Sequence, residues 1–295
     1  MNLKHFIIIA LKGMAMGAAD LVPGISGGTV ALITGIYENL IKSLNKIISV
    51  NKKLSDLLAI LKSSEFTFLL NLFIGIISGI LVFSRLIEYL FNNYEILTWS
   101  FISGLIISAI ILLIRRIKSW DFTNILFIIL GIIFGQIIIS VQNLDTTHNI
   151  PIIFLSGFLA ISAMLLPGIS GSYILVLLGQ YAYIITSLND LNITVITTFI
   201  SGAILGLIVF TKIIHAIMRR WNKNTIVLMT GLIIGSITKL WPWKNHNNEN
   251  ISPMSWENIN NTEHEIYLSI FLFISALLLG LLISNISINI SKKAP

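Results

Sequence analysis

The sequence predicts an all-α integral membrane protein folded as an inverted repeat, with two re-entrant helical hairpins and about six full transmembrane helices. Three observations carry that expectation. Of 295 residues, 55% are hydrophobic and 11% charged, whereas soluble domains carry roughly a quarter charged residues to solvate their surfaces. Six apolar runs each approach the roughly 20 residues that a helix needs to cross a bilayer. Two Pro-Gly-Ile-Ser-Gly breaks interrupt two further apolar stretches at corresponding places.

The elements follow in chain order. Residues 5–41 are apolar but cut at Pro23-Gly24, so they cannot form one continuous helix and are read as a hairpin. A signal peptide over residues 1–20 is disfavoured because Lys12 interrupts the apolar core. The Lys-rich segment 42–62, with Ile41 just before it, places Ile41, Leu44, Ile47, Ile48, Leu54, Leu57, Leu58 and Leu61 at helical spacing among lysines. They are expected to lie on an anionic leaflet, with a solvated connector as the alternative. Crossings are expected at about 66–87, 96–114 and 122–141. A second interrupted stretch, 150–187, forms the second hairpin, and further crossings are expected at about 193–214, 225–241 and 266–288. The Asn- and Glu-rich segment between Trp241 and Ile266 reads as a plain external loop.

Positive charge orients this arrangement, because Lys and Arg concentrate in cytoplasmic loops. If both hairpins return to the side they entered from, 16 of the 19 basic residues share one side, with Arg85, Lys239 and Lys244 opposite. Both termini are then cytoplasmic. The net charge of +6 is spread between apolar spans rather than clustered on a soluble face, which argues against nucleic acid as a partner. With no cysteine, thiolate chemistry and disulfides are excluded.

Residues 17–37 align without gaps on 161–181, matching at nine of 21 positions, including Pro23-Gly24-Ile25-Ser26-Gly27 against Pro167-Gly168-Ile169-Ser170-Gly171. Gly75, Gly79, Val82 and Phe83 answer Gly202, Gly206, Val209 and Phe210. The chain therefore divides into a first repeat, 1–148, and a second, 149–295. Each holds one hairpin and three crossings, and an odd number of crossings inverts the second copy. An inverted-repeat transporter is the architecture this implies, since such repeats with broken helices are a transporter signature.

Backbone that leaves the helical ladder at membrane depth must be buried in protein or line a watery cavity. Both breaks are such places. Ser26, Gly27, Gly28 and Thr29, with Ser170, Gly171 and Ser172, open the outgoing helices and would direct free N–H groups and positive dipole ends at an anion near the midplane. The plain alternative is two tight turns whose serines satisfy their own backbone. Asp20 and Glu38 are not duplicated, Met164 and Ala182 taking their places, so the hairpin itself does not require them. Either could carry a proton for coupling; capping, or an ion pair with Lys12 or Lys42, is the alternative. Arg85 and Lys212 occupy equivalent places in Val-Phe-Ser-Arg and Val-Phe-Thr-Lys and could meet an anionic headgroup on either side, although snorkelling to the interface is ordinary there. The five histidines show no metal-ligand spacing, and neither a nucleophile elbow nor a P-loop lysine occurs, so no catalytic residue, metal or cofactor is assigned.

The run Lys12-Gly13-Met14-Ala15-Met16-Gly17-Ala18-Ala19-Asp20-Leu21-Val22-Pro23-Gly24-Ile25-Ser26-Gly27-Gly28-Thr29 with Gly35-Ile36-Tyr37-Glu38 resembles the polyprenyl-phosphate translocase family. Leu166-Pro167-Gly168-Ile169-Ser170-Gly171-Ser172 with Gly179-Gln180-Tyr181 is similar to its second motif. The resemblance covers nearly the whole chain. It implies a lipid transporter of the bacterial cytoplasmic membrane that returns undecaprenyl phosphate from the outer to the cytoplasmic leaflet for peptidoglycan and other envelope polymers. Its partners would be polyprenyl phosphate and membrane lipids, the protein acting as a monomer or homodimer, with proton or membrane-potential coupling in place of a cofactor. An anion channel or soluble-anion transporter is the first alternative, and a membrane lipid phosphatase the second.

Overall fold

The computed structural model describes residues 3–22, 24–50, 59–117, 120–141, 144, 146–245, 249–260 and 265–292, with side chains described from 6 to 282 within these ranges. Pro23, Lys118, Lys293, His246, His264 and the centre of the expected surface helix (Lys52, Lys53, Leu54, Leu57, Leu58) lie outside the described residues. All regular structure among the described residues is helical: α1 (Leu3–Asp20), α2 (Gly27–Ile33), α3 (Tyr37–Ile48), α4 (Ser64–Asn93), α5 (Glu95–Arg116), α6 (Phe122–Ser140), α7 (Ile150–Met164), α8 (Gly171–Leu177), α9 (Tyr181–Asn189), α10 (Ile193–Gly235), a 3-10 turn (Ile237–Leu240), α11 (Pro253–Asn260) and α12 (Ile266–Lys292).

Short polar residues start the long helices. Ser63, Asp121, Asn149 and Asn192 each accept a backbone N–H three residues on, at the heads of α4, α6, α7 and α10. Each such cap contributes typically about 1 kcal/mol. Four segments are long and apolar enough to cross a membrane: α4, α5, α6 and α10 with its 3-10 extension; the bent pair α8–α9 makes up to five. Leu70, Phe73, Ile77 and Leu81 on α4, and Ile129, Ile133 and Ile137 on α6, stand exposed. Contiguous apolar surface of that extent fits lipid rather than water. The chain is a multi-pass membrane protein.

Glycine decides which helices meet. Gly13 and Gly17 of α1 lie against Leu72, Gly75 and Ile76 of α4, so close that an added Cβ would strike backbone. Gly157 of α7 meets Phe199 and Ala203 of α10, and Gly202 meets Phe154, in the same way. Positions matched in the sequence thus pack in matched pairs. The other two contacts cross between the halves: Gly104 of α5 faces Phe273 and Ala276 of α12, while Gly131 and Gly135 of α6 face Gly231 and Gly235 of α10. Small residues permit this close approach, which lipid-immersed helices need because water supplies no drive between them.

The two interrupted stretches take one local form. Each long arm (α1, α7) ends in a turn, gives a seven-residue helix (α2, α8), turns again, and continues as α3 or α9. Positive φ falls at matched glycines, Gly24 (84°) with Gly168 (90°) and Gly35 (74°) with Gly179 (66°), where a side chain would be strained. The second turn was not expected. It bends α8 against α9 by 109°.

Three further differences have physical causes. The expected runs 193–214 and 225–241 fall on the 43 residues of α10 and the 3-10 turn that follows it. Unbroken, 43 residues would reach roughly 65 Å, about twice the hydrocarbon thickness. The backbone leaves helical geometry at Trp221 (φ −135°, ψ 48°), so α10 is two segments joined at one residue, between Arg220 and Asn222. Ile41, Leu44 and Ile47, expected on a lipid surface, pack into the main core with Leu69, Leu72 and Met218. The expected plain loop after Trp241 makes specific contacts among its described residues: the Trp241 indole donates to Ile251 O at 2.8 Å, Lys244 forms a β-bridge with Asn250, and Trp243 is buried.

Candidate functional site

The two broken turns touch. Helix α7 ends at Met164, leaving carbonyls with no following amide to satisfy them. The first hairpin supplies donors: Ser26 Oγ donates to Met164 O at 3.0 Å and Tyr37 Oη to Leu165 O at 2.7 Å. In return the Gly168 amide donates to Thr29 Oγ1 at 2.8 Å. Ser26, Thr29 and Tyr37 are each at most 2% exposed, so these bonds are sheltered from water.

At the head of α2, Ser26 has extended geometry and accepts from Gly28 N at 3.0 Å. Asp20 Oδ1 accepts from Gly27 N at 2.6 Å. The carboxylate at this helix end is therefore the protein's own, which is the capping role weighed for Asp20 rather than an ion pair with Lys12 or Lys42. Lys12 instead donates to Thr34 O at 2.8 Å. In the second half Met164 replaces Asp20, and Ser170 Oγ lies 2.7 Å from Ser172 Oγ with no side-chain cap on α8. The copies also differ in enclosure: Ser26, Gly27, Gly28 and Thr29 are all buried, whereas Ser172 is exposed and Gly171 half-buried.

Between the turns lies a crevice of about 10 Å³ lined by Gly24, Ile25, Thr29, Ile106, Gly168, Ile233, Ser236 and Leu240. That is room for about one water molecule. The turns are closed on each other, and a phosphate group does not fit between them as they stand.

Beside the crevice is a cation, Lys239, that the sequence did not single out as a site residue. Lys239 runs its Cδ and Cε against Gly24, where a Cβ would sit 3.0 Å from both. Its Nζ lies 2.9 Å from the centroid of the Tyr173 ring. Among the described residues this ammonium has neither a hydrogen-bond acceptor nor a carboxylate partner. Lys244 Nζ donates to Lys239 O at 2.8 Å and stands 4.6 Å from the Trp99 ring centroid. Burial pushes the Lys244 ammonium below its usual range, with Glu95 opposing that shift. The available sequence signal was that Lys239 is the one charged residue within the apolar run 225–241.

Arg85 and Lys212 are exposed on α4 and α10, with no ion pair or hydrogen bond among the described residues, and neither lines the crevice. Glu38 is exposed and lines a different, larger cavity with Arg116 and Lys223.

A family model described as "VCA0040-like: Undecaprenyl phosphate translocase-like" matches residues 16–258. A relative from Vibrio cholerae serotype O1 named polyprenyl-phosphate transporter is 36% identical over 296 residues, covering 94% of this chain and 96% of its own. Another of the same name, from Staphylococcus aureus, is 34% identical over 250 residues, covering 79% of this chain and 85% of its own. No solved structure matches. Two broken hairpins joined at their Gly-Ile-Ser-Gly turns, on a chain matched over most of its length, place this protein in the undecaprenyl phosphate translocase-like family.

Proposed function

We propose that this chain carries undecaprenyl phosphate from the outer to the cytoplasmic leaflet of a bacterial cytoplasmic membrane, returning the lipid carrier for envelope polymer synthesis. The observation that carries this reading is the half-buried Lys239 ammonium beside the joined turns, seated on the Tyr173 ring with no carboxylate partner among the described residues. A charge taken out of water is costly unless it is paired, and a phosphate monoester supplies the missing partner. The names of the two relatives support the substrate class.

Transport would require the turns to part. Their junction is three hydrogen bonds, Ser26–Met164, Tyr37–Leu165 and Thr29–Gly168. At roughly 1 kcal/mol net each, separation costs on the order of a few kcal/mol, within reach of a ligand that favours the open state. The parted turns would expose Ser26, Gly27, Gly28 and Thr29 together with Ser170, Gly171 and Ser172 to the headgroup. Lys239 would hold its charge, with Arg85 and Lys212 guiding arrival and departure. The matched glycine packing of α1 on α4 and α7 on α10 supports two hairpin units, related as inverted repeats, that rock against each other. Both hairpins are re-entrant in this scheme, and the basic face is cytoplasmic. Asp20, on the α2 cap, is the carboxylate placed to couple a proton to the opening, and Glu38 is the second candidate.

The decisive measurement is a leaflet-resolved assay of polyprenyl phosphate in proteoliposomes, with pH and voltage gradients imposed separately. Movement above protein-free vesicles is expected. Equal rates with and without protein overturn the reading.

A further inference from the structure

A second cavity, of about 310 Å³, has two basic residues, Arg116 and Lys223, in its wall. Gly35, Glu38, Arg116, Met218, Asn222 and Lys223 are among its lining residues. Its volume is at the small end for ligand sites, roughly 300–1,000 Å³. One wall is the single-residue break in α10, which Asn222 and Lys223 directly follow.

The repeat provides an internal comparison for its charges. The short helices α2 and α8 end in carbonyls left outside the helical ladder at matched residues, Ile33 with Leu177 and Thr34 with Leu178. In the second half neutral donors satisfy them, the Leu144 amide at 2.7 Å to Leu177 O and the Thr146 hydroxyl to Leu178 O. In the first half cations do so: Arg116 Nη2 donates to Ile33 O at 3.1 Å and Lys12 Nζ to Thr34 O at 2.8 Å. The turn itself therefore needs donors, not charge. Arg116 commits one of its five N–H groups to that carbonyl, and no carboxylate pairs with it among the described residues. Lys223 lies 3.6 Å from Asp121. Glu38 is the one carboxylate among the described residues of the cavity wall.

We infer that this cavity is a headgroup site for an amphiphilic phosphate monoester, separate from the joined turns. Arg116 presents its remaining donor fork to the phosphate, Lys223 completes the polar side, and Met218 meets the first apolar carbons of the tail, with Asn222 on the wall beside them. Planar guanidinium donors match phosphate oxygens two at a time. The inference rests on the transport reading for its lipid, and it adds the place where the headgroup is held.

The chain contains no cysteine, so Asn222→Cys gives one reporter thiol in otherwise unchanged protein. Proteoliposomes carrying this variant are labelled with a membrane-impermeant maleimide in the presence of polyprenyl monophosphate, polyprenol of the same length, or inorganic phosphate. Polyprenyl monophosphate near ten times its Kd is expected to slow labelling about tenfold. Polyprenol and inorganic phosphate at the same concentration should leave the rate unchanged. Adding Arg116→Gln is expected to remove the protection while the unliganded labelling rate stays at the parent value, showing that the cavity still forms. Arg116→Lys should restore part of it. Equal protection by polyprenol overturns phosphate recognition, equal protection by inorganic phosphate overturns the lipid assignment, and protection indifferent to Arg116→Gln overturns the site. Transport measured in the same vesicles separates the two ideas: movement without protection removes this site, whereas protection without movement removes the transport reading and leaves the site standing.

Discussion

The Thr29 hydroxyl accepts a 2.8 Å hydrogen bond from the Gly168 amide, joining residues 139 positions apart at the tips of two hairpins. Thr29 is 2% exposed, so replacing it by valine strands the amide without water to take its place. Thr29→Val is expected to cost about 1–3 kcal/mol and to lower the melting temperature in detergent, whereas Thr29→Ser keeps the acceptor and should melt near the wild type. Indistinguishable melting of Thr29→Val and the wild type would show that the bond contributes nothing.

Lys239 sets stability against function. Its ammonium donates no hydrogen bond and forms no ion pair among the described residues, and its attractive contact is the Tyr173 ring, so Lys239→Gln should leave the melting temperature near the wild type, the relief of desolvation offsetting the lost ring contact. Transport of polyprenyl phosphate should nevertheless fall at least about tenfold, the loss of roughly 1.4 kcal/mol of headgroup attraction. A fully active Lys239→Gln protein would leave the proposed function without the observation that carries it.

The glycine seams predict matched effects in the two halves. An alanine Cβ at Gly75 would strike the Ala10 carbonyl, and one at Gly202 the Phe154 carbonyl, both rigid backbone. Gly75→Ala and Gly202→Ala should each destabilise by about 1–3 kcal/mol, the usual cost of overpacking. Thermal unfolding of the purified variants checks both. A large effect in one and none in the other would deny that the two seams are equivalent.

Asp20 separates capping from coupling. Asparagine retains an oxygen to accept from Gly27 N, so Asp20→Asn should fold and melt like the wild type, while Asp20→Ala should lose the roughly 1 kcal/mol typical of a cap. If Asp20 carries the coupled proton, transport by Asp20→Asn no longer responds to an imposed pH gradient. An unchanged gradient response would leave Asp20 as a cap alone and shift coupling to Glu38.

Much of this protein could be read from one chain because lipid imposes strong local rules. Apolar length identified α4, α5 and α6, and the lack of water at membrane depth made each Pro-Gly-Ile-Ser-Gly break conspicuous. The same 144-residue offset that aligned the two motifs predicts the paired positive-φ glycines, Gly24 with Gly168 and Gly35 with Gly179. These are properties of neighbouring residues.

What only the tertiary structure decided depends on partners far apart in the chain. Sequence counted Lys239 only as a charge opposite the basic side; its stem against Gly24 and its ammonium over Tyr173 are set by packing. Composition could not reveal that Ser26 and Tyr37 would cap carbonyls at Met164 and Leu165, or that the turns would close with space for about one water between them. Nor could it reveal that Arg116 caps Ile33 O where the second copy uses a neutral amide. Hydrophobic patterning fixes which segments enter the membrane, since transfer from water depends on local composition. Which polar groups meet inside it depends on glycine-set helix contacts and on hydrogen bonds that lipid cannot supply.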